Sequence, residues 1–420
     1  MLIFQLNLIK KFFNKFFSID FFKENELSII LITYFYCYIA GPALVNIFTV
    51  LLAIYAITYI GIRKRTFNTI EIILSIFFLY ITLKEIFFSS SFNYDLFGLI
   101  RFYLIFLLIP KFINQKLDIF NVLFFTCLFI SIDGIYQYYF FYDFFGFQKF
   151  SVNRITGVFD DEPIIGSFLL RFYFPIVFYF MISKKNNSLY SLSYLVIAYC
   201  IFISGEKMAL IQLVFTSISI VLYLILFKPY SFKFIRHINF KYLVLFIFLL
   251  ATFLFHNENY KTNRFYHLYD HLTNYDYSNL QNNINSKTSL NDYVYNFASA
   301  IELFKEKPIF GNGYRDYNLN CKEKLSHSYL SFGCSTHPHN ITLEMLTDHG
   351  VVGVSLFYFF IIFLIYKNFS LPIKYYGFLI SLIILNFPIF TSQSIFSSYY
   401  GSSYFFIIYL NYFFYLKNSK

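Results

Sequence analysis

Two histidines stand within one tetrapeptide, His337-Pro338-His339-Asn340, at the end of a long polar stretch and just before an apolar segment. A neutral imidazole with an ordinary pKa of about 6.5 can take a proton from a hydroxyl group. His339 is therefore a candidate general base. Asn340 could orient His339 or cap the helix that follows. The competing interpretation is that His339 is a structural histidine.

A zinc site is the other chemistry that these histidines could support. Cys334, His337 and His339 all carry side chains that bind metals, but their spacing matches zinc motifs weakly. No second cluster of ligands nearby in the sequence completes the usual four. The sequence therefore predicts no metal ion and no other cofactor.

Basic side chains near turns could bind an anion. Arg154, Lys207 and Arg315 lie close to turn signals, while Arg171 lies within an apolar segment. A charge inside a membrane costs at least about 2.5–3.5 kcal/mol and usually faces the interior of a helix bundle. Together these cations could hold a diphosphate while a bond to it breaks. Taken singly, each could be an interfacial anchor, and Lys207 could pair with the adjacent Glu206.

The elements around these residues are long and apolar. The chain has 420 residues and is 58% hydrophobic and 13% charged, which is typical of a polytopic membrane protein. The apolar runs are continuous rather than alternating, so they indicate helices and not barrel strands. We predict about twelve membrane-spanning helices, or about eleven if the first run is unbroken at Gly41-Pro42. The predicted spans are 28–40, 43–60, 70–88, 96–113, 119–141, 164–182, 189–203, 208–227, 240–255, 351–366, 373–390 and 403–416.

Lysine and arginine are distributed unequally between the predicted loops. With the N-terminus inside, cytoplasmic segments such as Arg63-Lys64-Arg65 hold most of them, and the short outer loops hold only Lys149, Arg154 and Lys207. This asymmetry predicts cytoplasmic termini and an outer position for the loop that carries the histidines. The net charge of +10 is then mainly a topology signal, and we expect no nucleic-acid partner because the cations are scattered over one membrane face.

The predicted architecture is one integrated all-α membrane domain with one large periplasmic loop between the ninth and tenth spans. Residues 1–27 form a cytoplasmic or interfacial segment, whose phenylalanines and lysines indicate a helix on the inner surface. Residues 28–255 hold the first nine helices, and residues 256–350 form the loop. Residues 351–420 hold the last three helices and a cytoplasmic tail.

Local signals subdivide the large loop. Residues 256–290 look irregular, and apolar positions at helical spacing predict an amphipathic helix over 291–306. A tight turn at Gly311-Asn312-Gly313 follows. Residues 314–333 are polar with few helix signals, and Ile341 to His349 has the pattern of a short helix.

Two cysteines, Cys321 and Cys334, lie in this loop and could form a disulfide if the outer face is an oxidising periplasm. The loop that such a bond would close is of a common size. Two free thiols are the alternative, because spacing and compartment are the only arguments for the bond.

Several of these motifs resemble the O-antigen ligase and O-antigen polymerase superfamily of bacterial inner-membrane enzymes. The segment from Cys334 to Asn340, with Glu344 after it, is similar to the family's His-x-His-Asn signature. Residues 305–314, which include Gly311 and Gly313, look like its stretch of helix, proline and G-x-G. The resemblance covers roughly residues 150–355 and also includes two weaker patterns. These are Arg154-x-x-Gly157 and Gly166-x-x-x-x-Arg171-x-x-x-Pro175.

The resemblance implies transfer of a glycan from undecaprenyl diphosphate to an acceptor hydroxyl on the periplasmic face. His339 would be the base or acceptor-orienting residue, with His337 second and with Asn340, Glu344, Gly311 and Gly313 in supporting roles. The donor contacts would be Arg154, Arg171, Lys207 and Arg315. Many relatives carry arginine where this chain offers Lys207, and lysine lacks the bidentate fork of arginine.

Ligase and polymerase remain open within this family. A ligase passes the glycan to lipid A–core, whereas a polymerase passes it to a second lipid-linked glycan; the form of the histidine motif slightly favours a polymerase. A chain-length regulator is a further candidate partner, besides the lipid bilayer. A lipid-linked glycan flippase or other transporter is the alternative class, although transporters place polar residues at the bilayer midplane. A structural assembly partner would give the histidines no purpose.

Overall fold

The computed structural model describes residues 19–62, 66–88, 93–115, 117–151, 154–183, 188–227 and 289–419. The regular secondary structure within these ranges is helical, apart from two isolated β-bridges between residues 142 and 154. Three predictions concern residues outside the described ranges. They are most of the interfacial segment 1–27, the span 240–255 and nearly all of the irregular stretch 256–290.

Helices occupy all of the remaining predicted spans. Among the residues that the structure describes, four helical segments are long and apolar enough to cross a membrane: Pro42–Gly61, Phe120–Phe140, Ile165–Ser183 and Ile341–Asn368. The helical fold is therefore consistent with a membrane protein, while the number of spans stays a prediction. The helices are α1 Ile19–Ile39, α2 Pro42–Ile62, α3 Thr69–Phe88, α4 Leu96–Leu108, α5 Phe120–Phe140, α6 Ile165–Ser183, α7 Ser188–Ile203, α8 Lys207–Phe227, α9 Ser289–Glu306, α10 Asp316–Lys324, α11 Ile341–Asn368, α12 Tyr376–Leu385 and α13 Ser398–Asn418.

The structure refines the predicted helices at three places. The first apolar run is two helices, because Gly41 has a φ of 115° and Pro42 opens α2, a position that proline tolerates. The helix predicted over 373–390 is shorter, since α12 ends at Leu385, before Pro388. The polar stretch 314–333 contains α10, whose acidic first turn and basic last turn match the helix dipole.

Helix α13 is the centre of the bundle. Every residue from Tyr400 to Phe414 is buried, and the helix packs against α2, α4, α11 and α12. A helix that is apolar all round is expected in such a position. A second, smaller core lies under α9 and α10, where Leu303, Tyr317 and Leu325 are buried beside the cysteines.

The polar ends of the bundle differ, as α4 illustrates. Just before its first turn, Asp95 pairs with Arg315 of the large loop. Just beyond its other end, Lys111 pairs with Glu26 at 2.6 Å, and Lys417 Nζ donates to the Gln115 carbonyl at 2.9 Å. Lysines predicted to be cytoplasmic thus gather at one end, and the loops with the candidate chemistry gather at the other. Their orientation to a membrane stays a prediction.

Candidate active site

A cavity of about 480 Å³ lies where α6, α8, α9 and α13 meet the loop 386–397. Its lining includes Arg154, Arg171, Lys207 and His339, which come from four separate parts of the chain. Three cations and one imidazole singled out from the sequence therefore share one space. His337 and Arg315 do not belong to its lining.

Arg171 lies on a π-helical turn, Leu169–Tyr173, within α6. Its Nη1 donates to Ser403 Oγ at 3.0 Å, and its guanidinium carbon lies 4.2 Å from the centroid of the Tyr400 ring. Stacking and hydrogen bonding hold the planar group in one orientation. Single π turns within α-helices occur frequently at functional sites.

Glu206 connects the turn between α7 and α8 to the beginning of α6. Its two carboxylate oxygens accept from the backbone N–H groups of Gly166 at 2.5 Å and Ser167 at 3.1 Å. This carboxylate therefore caps a helix N-terminus, where negative charge is favoured. Burial raises the pKa of Glu206, and nearby Arg154 acts in the opposite direction.

Gly166 makes this close approach possible. A Cβ atom at position 166 would lie 2.6 Å from Ser204 Oγ and 3.0 Å from Glu206 Oε1. The turn that contains Glu206 leads directly into Lys207, the first residue of α8. The cap consequently sets where Lys207 enters the cavity relative to Arg171.

Arg154 is held by the loop between α5 and α6. Its Nη2 donates to the Pro163 carbonyl at 3.1 Å. The next part of the loop is tied to α5, because Gln137 Oε1 accepts from the N–H groups of Thr156 and Gly157, both at 2.9 Å. Arg154 thus stands just before a segment of the loop that is anchored to α5.

His339 has a φ of 53°, a left-handed conformation that is uncommon outside glycine. Its carbonyl accepts from the Ser392 N–H at 2.8 Å. The ring centroid lies 5.3 Å from that of Tyr293 on α9 and 4.1 Å from that of His337. The imidazole therefore packs against Tyr293 of α9 and His337, while the backbone of His339 is tied to the loop 386–397.

Asn340 is the N-cap of α11, because its Oδ1 accepts from the Leu343 N–H at 3.0 Å. Its Nδ2 donates to the Pro388 carbonyl at 2.7 Å, which ties the cap to the loop 386–397. Glu344 strengthens the same connection by accepting from Ser394 Oγ. Both residues thus support the loop beside His339.

Sequence reasoning assigned no role to the loop 386–397, although it contributes Thr391, Ser392 and Gln393 to the cavity. Its signal was the polar run 391–394 shortly after Pro388, at the end of an apolar segment. Glu206 was considered only as a partner for Lys207. Its capping of a helix 40 residues away in sequence leaves no local pattern.

His337 is packed behind His339. Its Nδ1 lies 3.0 Å from Thr336 Oγ1. Burial and the neighbouring His339 lower the pKa of His337 to about 3. The ring is therefore neutral near pH 7 and acts as a packing partner for His339.

Gly311 and Gly350 bring two backbones into contact in what we call the glycine joint, residues 308–313 and 347–352. Helix α11 is interrupted at Gly350, where φ is 66° and ψ is −172°. The turn 308–313 replaces the missing helical hydrogen bonds. Asn312 N–H donates to the Thr347 carbonyl at 2.9 Å, and Val351 N–H donates to the Pro308 carbonyl at 2.9 Å.

Both glycines are required at this crossing. A Cβ atom on Gly311 would lie 2.5 Å from the Asp348 carbonyl, and one on Gly350 would lie 2.3 Å from the Ile309 oxygen. Gly313 N–H also donates to the Asp348 carbonyl, at 3.1 Å. Gly311 and Gly313 thus act through the backbone and hold the large loop on α11.

Arg315 lies beside the glycine joint and does not line the cavity. Its Nη1 lies 2.5 Å from Asp95 Oδ2, and its backbone N–H donates to Asp348 Oδ2 at 2.9 Å. The structure therefore separates Arg315 from the other three predicted donor contacts.

Cys321 and Cys334 form a disulfide, with their Cα atoms 5.6 Å apart. The bond joins α10 to the segment that leads to the histidines. The Cys334 sulfur is thereby bonded to Cys321. Within the described ranges, no three His, Cys, Asp or Glu side chains come together as a metal site would require.

Comparison with known proteins gives one informative match. None of the curated proteins compared with the chain matches it significantly. Residues 192–358 match the model of a family described as O-antigen ligase. The matched region includes Lys207, the glycine joint and His339, and it supports a membrane protein of polysaccharide biosynthesis. Residues 192–358 are thus similar to the O-antigen ligase family, in agreement with the resemblance of the sequence motifs.

Proposed function

We propose that the chain transfers a glycan from undecaprenyl diphosphate to an acceptor hydroxyl, on the periplasmic face of the bacterial inner membrane. The observation that carries this proposal is the shared cavity, where Arg154, Arg171 and Lys207 accompany His339. Such a combination suits an anionic leaving group next to a hydroxyl that must lose a proton.

In the proposed reaction the acceptor oxygen attacks the anomeric carbon of the donor glycan. The bond between that carbon and the diphosphate oxygen breaks, and its electron pair stays on the diphosphate. The acceptor proton passes to His339. The three cations stabilise the charge on the departing lipid diphosphate, which needs no further activation.

The acceptor defines two versions of this function. A polymerase would use a second lipid-linked glycan, and a ligase would use lipid A–core. We favour the polymerase because of the form of the histidine motif. Either version is compatible with an additional chain-length regulator as a partner.

The test uses purified protein in liposomes with a lipid-linked repeat unit extracted from the bacterium that makes the protein. We expect longer lipid-linked glycans without lipid A–core. Product that forms only on lipid A–core would make the protein a ligase. Movement of the glycan across the bilayer without any new glycosidic bond would contradict the transferase and support the flippase.

A further inference from the structure

The cavity has a second lining group besides the cations. Thr391 and Gln393 belong to it, as does Gln212 from α8. Among the described contacts, no hydrogen bond uses the side chains of these three residues. Neutral amides and hydroxyls that face a cavity are suited to hydrogen-bond the hydroxyl groups of a sugar.

The residues 391–393 of this group are tied directly to His339. Ser392, between Thr391 and Gln393, donates its backbone N–H to the His339 carbonyl at 2.8 Å. The ring of Tyr293 packs against the His339 ring. By contrast, Arg154 and Glu206 are held by the loop before α6 and by the N-terminus of α6 itself.

From this division we infer that Thr391 and Gln393 form the subsite for the acceptor sugar, and that they determine which acceptor is used. The inference rests on the proposed function, because it identifies the acceptor as the group beside the base. A base must lie within hydrogen-bonding reach of the hydroxyl that it deprotonates. The neutral side chains next to His339 therefore contact the acceptor sugar, while the cations contact the diphosphate.

The test compares the wild type with the double variant T391A/Q393A in the liposome assay. The substrate is the extracted lipid-linked glycan, and undecaprenyl diphosphate without sugar serves as an inhibitor. Loss of one neutral hydrogen bond weakens binding about 3- to 10-fold. We expect the half-saturating glycan concentration to rise about tenfold or more, with the inhibition constant of undecaprenyl diphosphate unchanged within about twofold.

Gln148→Ala is the matched control, because Gln148 is an exposed outer-loop glutamine outside the cavity lining. It should leave both constants unchanged. An unchanged half-saturating concentration in the double variant would overturn the inference alone. An equal rise in both constants would also overturn it, because it would show a general disturbance of the cavity. Absence of transfer by the wild type would overturn the proposed function itself, and the inference with it.

Discussion

The cavity and the glycine joint use polar groups in opposite ways. In the joint, Asp348 accepts from two backbone N–H groups, and the main-chain groups beside Gly350 are bonded to the turn 308–313. Around the cavity, Arg154, Lys207 and His339 are held by their backbones and neighbours but line an open space. Buried polar groups that satisfy one another rigidify a fold, whereas groups that line a cavity can serve a ligand. Substitutions in the glycine joint should therefore lower the stability of the fold, and substitutions around the cavity should lower the rate of glycan transfer.

The largest effect on transfer should come from His339→Ala. Loss of a general base slows transfer about 10²- to 10⁴-fold. The thermal unfolding midpoint should fall by much less than the transfer rate, because the variant loses ring contacts with Tyr293 and His337 but keeps the backbone hydrogen bond to Ser392. The rate is measured in liposomes, with exposed His327→Ala as the control. Equal transfer rates in wild type and His339→Ala would contradict the role of His339 as the base.

Gly350→Ala should give the largest loss of stability. Gly350 adopts a positive-φ conformation that is essentially restricted to glycine and costs about 1–3 kcal/mol for a residue with a Cβ atom, and the clash with the Ile309 carbonyl adds to it. The midpoint in detergent should fall clearly. Gly98→Ala, within α4 where a Cβ atom meets nothing within 4 Å, should leave stability unchanged or raise it. Equal midpoints for both variants would show that the crossing is not tight.

Lys207→Gln should weaken binding of the lipid diphosphate. A hydrogen bond to a charged group contributes about 1.5–3 kcal/mol, so the inhibition constant of undecaprenyl diphosphate should rise at least about tenfold. Lys207→Arg keeps the charge and should stay closer to the wild type. The constants are compared at two salt concentrations, because screening should affect the wild type more than the glutamine variant. An unchanged constant would remove Lys207 from the donor site.

His337→Gln should change how stability depends on pH. The pKa of His337 is lowered to about 3 in the folded protein, against about 6.5 in an unfolded chain. The contribution of the neutral His337 ring to the free energy of unfolding is therefore fully present above about pH 6.5 and is lost as the pH falls toward 3. Unfolding midpoints measured between pH 7 and pH 4 should decline less steeply in the variant. Parallel declines would mean that the ring is accessible to protons.

Arg315→Ala should have the smallest effect. Its partner Asp95 is exposed, and ion pairs between exposed groups contribute about 0–1 kcal/mol. The transfer rate should remain within about twofold of the wild type, and the unfolding midpoint should remain within a few degrees of it. The Asp95→Ala variant should behave in the same way. A large loss of lipid diphosphate binding in Arg315→Ala, but not in Asp95→Ala, would show that Arg315 beside the glycine joint contributes to the donor site in the cavity.

Most helices could be predicted because their apolar runs are long and continuous, and the residue types of the candidate site could be identified because charges are rare in such runs. What could not be predicted depends on packing between distant segments. The contact of Arg171 with Tyr400 and the cap of Glu206 on Gly166 join residues that no local pattern relates. The early end of α12 and the helix α10 were missed because a proline stop and matched terminal charges are weak signals beside a strong apolar background.

The π turn in α6 has a consequence for how this protein can change. A π turn contains one more residue than the α-helical turn it replaces. Deleting a single residue beside Arg171 would convert the π turn Leu169–Tyr173 into an α-helical turn and change the direction of the side chains within it, Arg171 among them, while the helical segments on either side keep their register. One deletion could therefore dismantle the site while leaving every side chain singled out above in the sequence, so alignments that tolerate gaps here would mistake inactive relatives for active ones.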